Sequence, residues 1–130
     1  MTAVTHDRLN NMKHNSTSKF RGKFEVIVST RGAQAAMMTL APQGVSDDEI
    51  ANEHPRSEQW LFVVSGTGTA IIRSAGTQTA VPLKRGSLLT IEKGELHQIR
   101  NTGRQRLRTI NFYVPPAYSK DGEVKSSAKK

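Results

Sequence analysis

Cysteine is absent from the 130-residue chain, and its absence removes several kinds of site at once. No disulfide can form, no thiolate can bind a metal, and no cysteine nucleophile is available for catalysis. Any metal bound by this chain must therefore be held by nitrogen and oxygen ligands.

Long apolar runs are missing as well. Hydrophobic residues make up 35% of the chain and charged residues 23%. No stretch approaches the roughly 18 apolar residues that a membrane-spanning helix needs. Residues 1–20 are polar and lack the apolar centre of a secretory signal. We therefore expect a cytoplasmic protein without a membrane partner, of a length that suits one compact domain.

The net charge of +8 is concentrated towards the two ends of the chain. Residues 1–23 contain five Lys or Arg and one Asp, and residues 117–130 contain four Lys and two acids. Both segments have few large apolar side chains, so burial cannot offset the entropy lost on ordering. We predict a flexible leader (1–23), one domain (24–116) and a flexible basic tail (117–130), and we do not expect a nucleic-acid partner.

The middle of the chain consists of short β-rich runs about ten residues apart, separated by turns that contain glycine. This spacing is typical of an all-β sandwich or barrel. The second run contains Ala and Met and is also compatible with a short helix. The predicted strands are 24–30, 34–40, 59–65, 69–73, 78–81, 87–91, 97–100 and 107–114.

The third predicted strand is apolar on both faces. Its odd-numbered residues, Gln59 to Val63, share one face, and Trp60, Phe62 and Val64 share the other. One face can line the core, and the second needs a cover of its own. We predict a homodimer that buries the Trp60 face; the alternative is that the first predicted strand covers it within one chain.

Two of the four histidines, His54 and His97, fall at the starts of predicted strands, and the other two lie in the leader, where we assign them no role. Pro55 favours an extended backbone before it, so Asn52 and His54 project to the same side. Two imidazoles that meet across a barrel mouth can bind a divalent metal together with an oxygen ligand. Ordinary core or surface roles are the alternative for both histidines.

The segment 52–66 resembles the first motif of the cupin superfamily: His, one residue, His, three or four residues, Glu, six residues, Gly. In this chain the four positions are occupied by Asn52, His54, Gln59 and Gly66. The spacing of the motif is kept, while the first histidine and the glutamate are replaced.

The segment 86–101 resembles the second cupin motif: Gly, five residues, Pro, one residue, Gly, two residues, His, three residues, Asn. The positions are Gly86, Glu92, Gly94, His97 and Asn101, so four of the five specified residues match. The resemblance to the family extends over about residues 24–116.

Membership of this family implies an all-β fold, the cupin jelly-roll β-barrel, with a divalent metal ion at its mouth. In the family that metal is usually iron, manganese, nickel, copper or zinc. The resemblance implies His54, His97 and Gln59 as ligands, with Asn52 as a fourth ligand or as a residue that supports them.

Both departures from the motif replace a ligand with a neutral oxygen donor, so the predicted site contains no carboxylate. We therefore expect weaker metal binding than an intact motif provides. Glu53 and Glu58 are each one residue from a ligand position and would restore a carboxylate if the register slipped by one. Strand alternation favours Gln59 as the inward residue, because a one-residue shift reverses the face.

Three further residues are candidates for the site. Arg56 lies in the loop at the expected barrel mouth, where its planar guanidinium can hold an anionic substrate. Tyr113 is expected to line the substrate pocket, with a core role as the alternative. Glu95 precedes His97 by two residues and is a candidate general base or hydrogen-bond partner.

The resemblance favours a metal-dependent enzyme of oxygenase or isomerase type that acts on a small polar molecule. The alternative is a non-catalytic cupin that binds a small molecule or a sugar without a metal. Fold does not determine which of these the chain performs.

Overall fold

The computed structural model describes residues 14–125. It contains eight strands and one short 3₁₀ turn at Thr17–Lys19, and no helix within the described range is long and apolar enough to cross a membrane. The prediction of an all-β fold is confirmed. The strands are β1 (Phe24–Ser29), β2 (Gln34–Leu40), β3 (Glu58–Ser65), β4 (Gly68–Ser74), β5 (Thr77–Leu83), β6 (Leu88–Ile91), β7 (Leu96–Arg100) and β8 (Leu107–Val114).

Two antiparallel sheets make up the barrel. The larger has the strand order β1-β2-β8-β3-β6, and the smaller has the order β5-β4-β7. The Ala- and Met-containing run forms strand β2 rather than a helix, because β1 and β8 pair with it on both sides. β1 and β2 form the predicted hairpin around Arg31 and Gly32.

The space between the sheets is apolar at one end of the barrel and polar at the other. The apolar end contains the main core cluster, in which Leu40, Val63 and Leu107 are almost completely buried. At the opposite end the register aligns Gln34 and Gln59 with Tyr113, which lies between them on β8. The side chains that can do chemistry are therefore gathered at one end.

Glycines allow two of the tight turns. Gly66 ends β3 with φ +89°, and a Cβ there would lie 2.8 Å from the Cα of Leu107 on β8. Gly94, in the turn before β7, has φ +82°. Both conformations are poorly accessible to other residues, which explains the glycines of the two sequence motifs.

The outer face of the larger sheet carries exposed apolar side chains. Trp60 is 46% exposed and is paired with Phe112 across β3 and β8, and Phe62 is paired with Leu88 on β6. The alternative that β1 covers this face within one chain is wrong, because β1 lies at the edge of the same sheet. The homodimer remains a prediction.

The C-terminal segment departs from the expected flexible tail. Ala117 and Tyr118 are buried, and a bridge between Tyr118 and Val124 folds residues 117–125 into a turn. The polar and charged composition of residues 117–130 predicts a flexible tail, but these two residues pack against the end of the barrel. Residues 126–130 lie outside the described range.

The side chain of Gln34 holds this turn to the barrel. Its amide oxygen accepts hydrogen bonds from the backbone N–H groups of Ala117 and Tyr118, and its Nε2 donates to Tyr118 O at 2.7 Å and to Ser29 Oγ. One buried amide thus fixes the position of Tyr118.

The described part of the N-terminal leader is also attached. The guanidinium of Arg108 on β8 donates to the carbonyl oxygens of Thr17 and Phe20. Residues 14–23 therefore contact the larger sheet, whereas residues 1–13 lie outside the described range.

Replacement of Gln34 by Leu is expected to lower the free energy of unfolding by about 2–4 kcal/mol, because buried backbone groups at 117–118 lose their partners. Denaturant unfolding measures the loss, and hydrogen exchange should increase over residues 117–125. The exposed Gln105→Leu serves as control. Equal effects of the two substitutions would show that the Gln34 contacts contribute nothing.

If the Trp60 face is a dimer interface, the full chain should sediment as a dimer and the double variant Trp60→Lys/Phe112→Lys as a monomer. Lysine in an apolar interface would be buried without a partner, which is costly. The control, Thr77→Lys, lies on exposed β5 of the other sheet. A wild-type chain that sediments as a monomer at every concentration would refute the predicted homodimer.

Candidate functional site

A cavity of about 270 Å³ opens at the polar end of the barrel. It lies between the two sheets, and residues from β3, β7, β8 and the loop before β3 contribute to its wall. The C-terminal turn adds a further side chain. The titratable or polar residues that line it are Lys23, Ser46, Asp47, Glu53, His54, Gln59, His97, Tyr113 and Tyr118.

His54 is held by the loop that precedes β3. Its backbone N–H donates to Asn52 Oδ1 at 2.8 Å, and its carbonyl oxygen accepts from Ser57 N at 3.0 Å. The hydroxyl of Ser57 donates to Pro115 O at 2.7 Å, which ties this loop to the end of β8. The imidazole is therefore positioned by backbone contacts on both sides.

Asn52, expected as a fourth ligand or a supporting residue, takes the supporting role. Its oxygen accepts from His54 N, and its Nδ2 donates to Glu95 O at 3.0 Å. Both polar atoms are thus used to join the His54 loop to the turn before β7. Asn52 is not available as a ligand in this arrangement because its side-chain oxygen caps its own turn.

The His54 ring is almost completely buried, and its Nδ1 has no hydrogen-bond partner among the described residues. The ring centroid lies 5.2 Å from that of His97 and 4.9 Å from that of Tyr113. Burial lowers the pKa of His54, although a nearby Glu53 charge and the Gln59 side chain act in the opposite direction. Its imidazole is therefore neutral at pH 7.

His97 enters the cavity from the smaller sheet. Burial, and secondarily the proximity of His54, lower its pKa to about 4. Its Nδ1 lies 3.3 Å from the carbonyl oxygen of Glu95, which can only accept a hydrogen bond. Nδ1 is therefore the protonated nitrogen, and Nε2 keeps the free lone pair.

Gln59 points into the cavity, as strand alternation predicts, and is 3% exposed. Its Nε2 donates to Asn111 Oδ1 at 2.9 Å, and Asn111 Nδ2 in turn donates to Thr109 Oγ1. The side-chain oxygen of Asn111 can only accept a hydrogen bond, so the amide nitrogen of Gln59, which is a donor, faces Asn111. Its Oε1 is left buried without a partner in the described chain.

The two glutamates that flank the ligand positions have other contacts. Glu58 lies on the opposite face of β3 and accepts a hydrogen bond from Trp60 Nε1 at 3.0 Å. Glu53 accepts from the hydroxyl of Tyr118 at 2.6 Å. The interpretation that Gln59 rather than Glu58 faces inwards is thereby supported by the register.

Two tyrosines form the aromatic side of the cavity. Tyr113 on β8 lies in the wall as expected, with its ring centroid 5.0 Å from that of Tyr118. Burial raises the pKa of both phenols, and the neighbouring Tyr113 raises that of Tyr118 further. Both hydroxyl groups therefore remain protonated at pH 7.

Sequence reasoning missed Tyr118 because the segment was assigned to a flexible tail. The available signal was an aromatic residue two positions after Pro116, in a segment with no other large aromatic side chain. The proline pair ends β8 and sends the chain back over the barrel end.

Arg56 and Glu95 do not line the cavity. Arg56 faces a second, separate cleft at the same end of the barrel. The carboxylate of Glu95 accepts a hydrogen bond from Glu92 N, within its own turn, and only its backbone oxygen reaches His97. A role for Glu95 as a general base in this cavity is therefore not supported by its geometry.

His54, His97 and Gln59 suit a divalent transition metal, and the carboxylates of Asp47 and Glu53, which also line the cavity, are not arranged with them as a ligand group. Within residues 14–125 no group of three or more His, Cys, Asp or Glu is arranged to hold a metal ion. Two neutral imidazoles and the unpartnered Gln59 oxygen are ligand types that such metals accept. The set fits a metal, and its lack of a carboxylate predicts modest affinity.

Comparison with solved structures finds the same fold in several proteins. A Bacillus halodurans protein is 22% identical with a TM-score of 0.70, and the match covers 95% of this chain and 86% of that chain. The cupin domain of Cnp3 from Schizosaccharomyces pombe is 11% identical with a TM-score of 0.67, over 80% and 70% of the two chains. A predicted oxalate decarboxylase from Thermotoga maritima is 20% identical with a TM-score of 0.57, over 72% and 79%.

The sequence itself has no significant match among curated proteins. The model of the cupin domain family, in contrast, matches residues 36–113, which extend from β2 to the end of the cavity wall on β8. This range includes both sequence motifs and more than half of the chain. The chain therefore belongs to the cupin domain family.

Proposed function

We propose that this cupin binds a divalent transition metal through His54, His97 and Gln59, and that it acts as a metal-dependent enzyme on a small polar molecule held in the same cavity. The proposal depends above all on one observation. Two buried polar atoms beside one cavity, His54 Nδ1 and Gln59 Oε1, have no partner among the described residues.

Unpartnered buried polar atoms are rare in native proteins, because each costs about 1–3 kcal/mol. A bound ion or ligand can supply the missing partner for the Gln59 oxygen. The neutral state of both imidazoles further favours this proposal, because only a neutral imidazole has a lone pair for a metal.

The two tyrosines are suited to orienting a polar molecule. Tyr118 donates its hydroxyl hydrogen to Glu53, so its oxygen can accept a hydrogen bond from a hydroxyl of the molecule. Tyr113, protonated and buried, can donate one. Both rings also pack near the imidazole of His54 and can exclude water from that side, which strengthens polar interactions there.

Among the reactions that the family resemblance implies, the uncharged donor set favours an isomerase over an oxygenase. A bound metal supplies Lewis acidity towards an oxygen atom of the substrate. His97 is held by the Glu95 carbonyl oxygen with its Nε2 lone pair free, so it can either bind the ion or take a proton from the substrate.

The second candidate is a metal-free cupin that binds a small molecule or a sugar. The observation that favours it is that, within residues 14–125, no third His, Cys, Asp or Glu is placed so that it could hold a metal ion together with His54 and His97, although Asp47 and Glu53 line the same cavity. In this case the imidazoles, the tyrosines and Gln59 hydrogen-bond the ligand directly.

Titration of the metal-free full chain with Zn²⁺ or Ni²⁺ should give one site per chain. His54→Ala and His97→Ala are each expected to weaken binding by on the order of 100-fold, since each removes one of three donors. The control is His14→Ala, which removes an exposed histidine outside the barrel. Loss of binding in His14→Ala as well, or no binding by the wild type, would reject the metal proposal and favour the metal-free candidate.

Gln59→Glu should restore the missing carboxylate and tighten metal binding by about tenfold or more. Without metal the same variant should melt at a lower temperature, because its carboxylate would face the oxygen of Asn111 where Gln59 now donates. Added metal should then raise its melting temperature more than that of the wild type.

The matched control for this experiment is Gln78→Glu, which makes the same change on exposed β5. An unchanged metal affinity in Gln59→Glu would show that the residue at position 59 is not a ligand.

A further inference from the structure

A second cleft, of about 470 Å³, lies at the same end of the barrel as the cavity and shares none of its lining residues. We call it the basic cleft. Its charged lining consists of Arg31, Arg56, Lys93 and Lys125, and no acidic residue contributes to it.

The four cations of the basic cleft come from four separate parts of the chain. Arg31 belongs to the β1–β2 turn, Arg56 to the loop before β3, Lys93 to the β6–β7 turn and Lys125 to the C-terminal turn. They converge only in the folded protein, so the cleft is a product of the fold rather than a run of charge in the sequence.

Three other arginines of the barrel have hydrogen-bond partners. Arg73 donates to Gln78, Arg100 to Gln98, and Arg108 to two backbone oxygens. Within residues 14–125 the guanidinium groups of Arg31 and Arg56 make no such hydrogen bond. Like charges held near one another without a counter-charge repel, and an anion in the cleft would relieve that repulsion.

Two carboxylates lie to one side of the cleft. Glu58 and Glu92 line an adjoining pocket together with Lys93. They reduce the effective charge of Lys93, but they do not line the basic cleft itself. The two arginines are therefore its strongest anion-binding groups.

We propose that the basic cleft is a binding site for a small molecule that carries two or more oxyanion groups, either phosphates or carboxylates. Its volume lies within the range of about 300–1,000 Å³ typical of small-molecule sites. The planar guanidinium groups of Arg31 and Arg56 can each bind one oxyanion group through two parallel hydrogen bonds. The two lysines add positive charge without requiring a particular hydrogen-bond geometry.

This site is independent of the proposed metal in the cavity. Arg56 follows the buried His54 by two residues, yet its side chain faces the other cleft. A molecule bound in the basic cleft would contact the loop that positions His54 and the C-terminal turn that positions Tyr118.

The test is calorimetric titration of the full chain, stripped of metal, with inorganic pyrophosphate and separately with citrate at low ionic strength. Arg31→Gln and Arg56→Gln should each weaken binding by roughly tenfold. Arg56→Lys should retain more affinity than Arg56→Gln, since it keeps the charge but loses the fork. Pyrophosphate binding tighter than citrate binding would identify phosphate as the preferred group, and the reverse would identify carboxylate.

The controls are Arg85→Gln and Arg104→Gln, which remove the same charge from exposed turns elsewhere on the chain. Both should bind the probes as the wild type does. Equal weakening by all four glutamine variants would mean attraction by net charge alone and would overturn the proposal. Failure of both probes to bind, or binding only of a single-stranded oligonucleotide, would overturn it as well, and neither result would bear on the metal site.

Discussion

The pairing of β3 with β8 in the middle of the larger sheet is the constraint on which the rest of the structure depends. It brings Gln59 opposite Tyr113 and Trp60 opposite Phe112. Because side chains alternate along a strand, this single register sends the first pair into the barrel and the second to its outer face. A slip of one residue would exchange a polar cavity for an apolar one.

The same register divides the interior into an apolar end and a polar end. Leu40, Val63 and Leu107 pack without water at one end, and this packing stabilises the barrel. The polar end is stabilised instead by defined hydrogen bonds, from Gln59 to Asn111 and onward to Thr109. Such a network fixes side-chain positions, and the atoms that it leaves unpartnered mark the place where the proposed ligand would complete it.

Much of the fold could be predicted from the sequence because its signals are local. Strand alternation around Gln59, glycine at the turns and the spacing of two motifs all depend on residues close together in the chain. The inward position of Gln59 followed from its place in the first motif together with strand alternation. The meeting of His54 and His97 followed from their places at strand starts together with the resemblance to a barrel family.

The remaining features depend on contacts between distant residues. Gln34 is a polar residue in an apolar strand, and only the folded chain shows that it holds Tyr118 across 84 positions of sequence. Asn52 occupies a ligand position of the motif, yet its side chain is used to join two loops. Arg56 lines the basic cleft and not the cavity, and the sequence does not show this because the other cations of that cleft lie on three distant turns.

The proposed function requires that the unpartnered Gln59 oxygen and the two imidazoles face one common ligand. A crystal of the full chain soaked in Zn²⁺ or Ni²⁺ and measured at the metal absorption edge tests this arrangement most directly. One anomalous peak is expected in the cavity, within bonding distance of a nitrogen of His54, a nitrogen of His97 and Oε1 of Gln59. A cavity without a peak, in which Gln59 Oε1 accepts a hydrogen bond from the His54 ring, would contradict the proposed metal site.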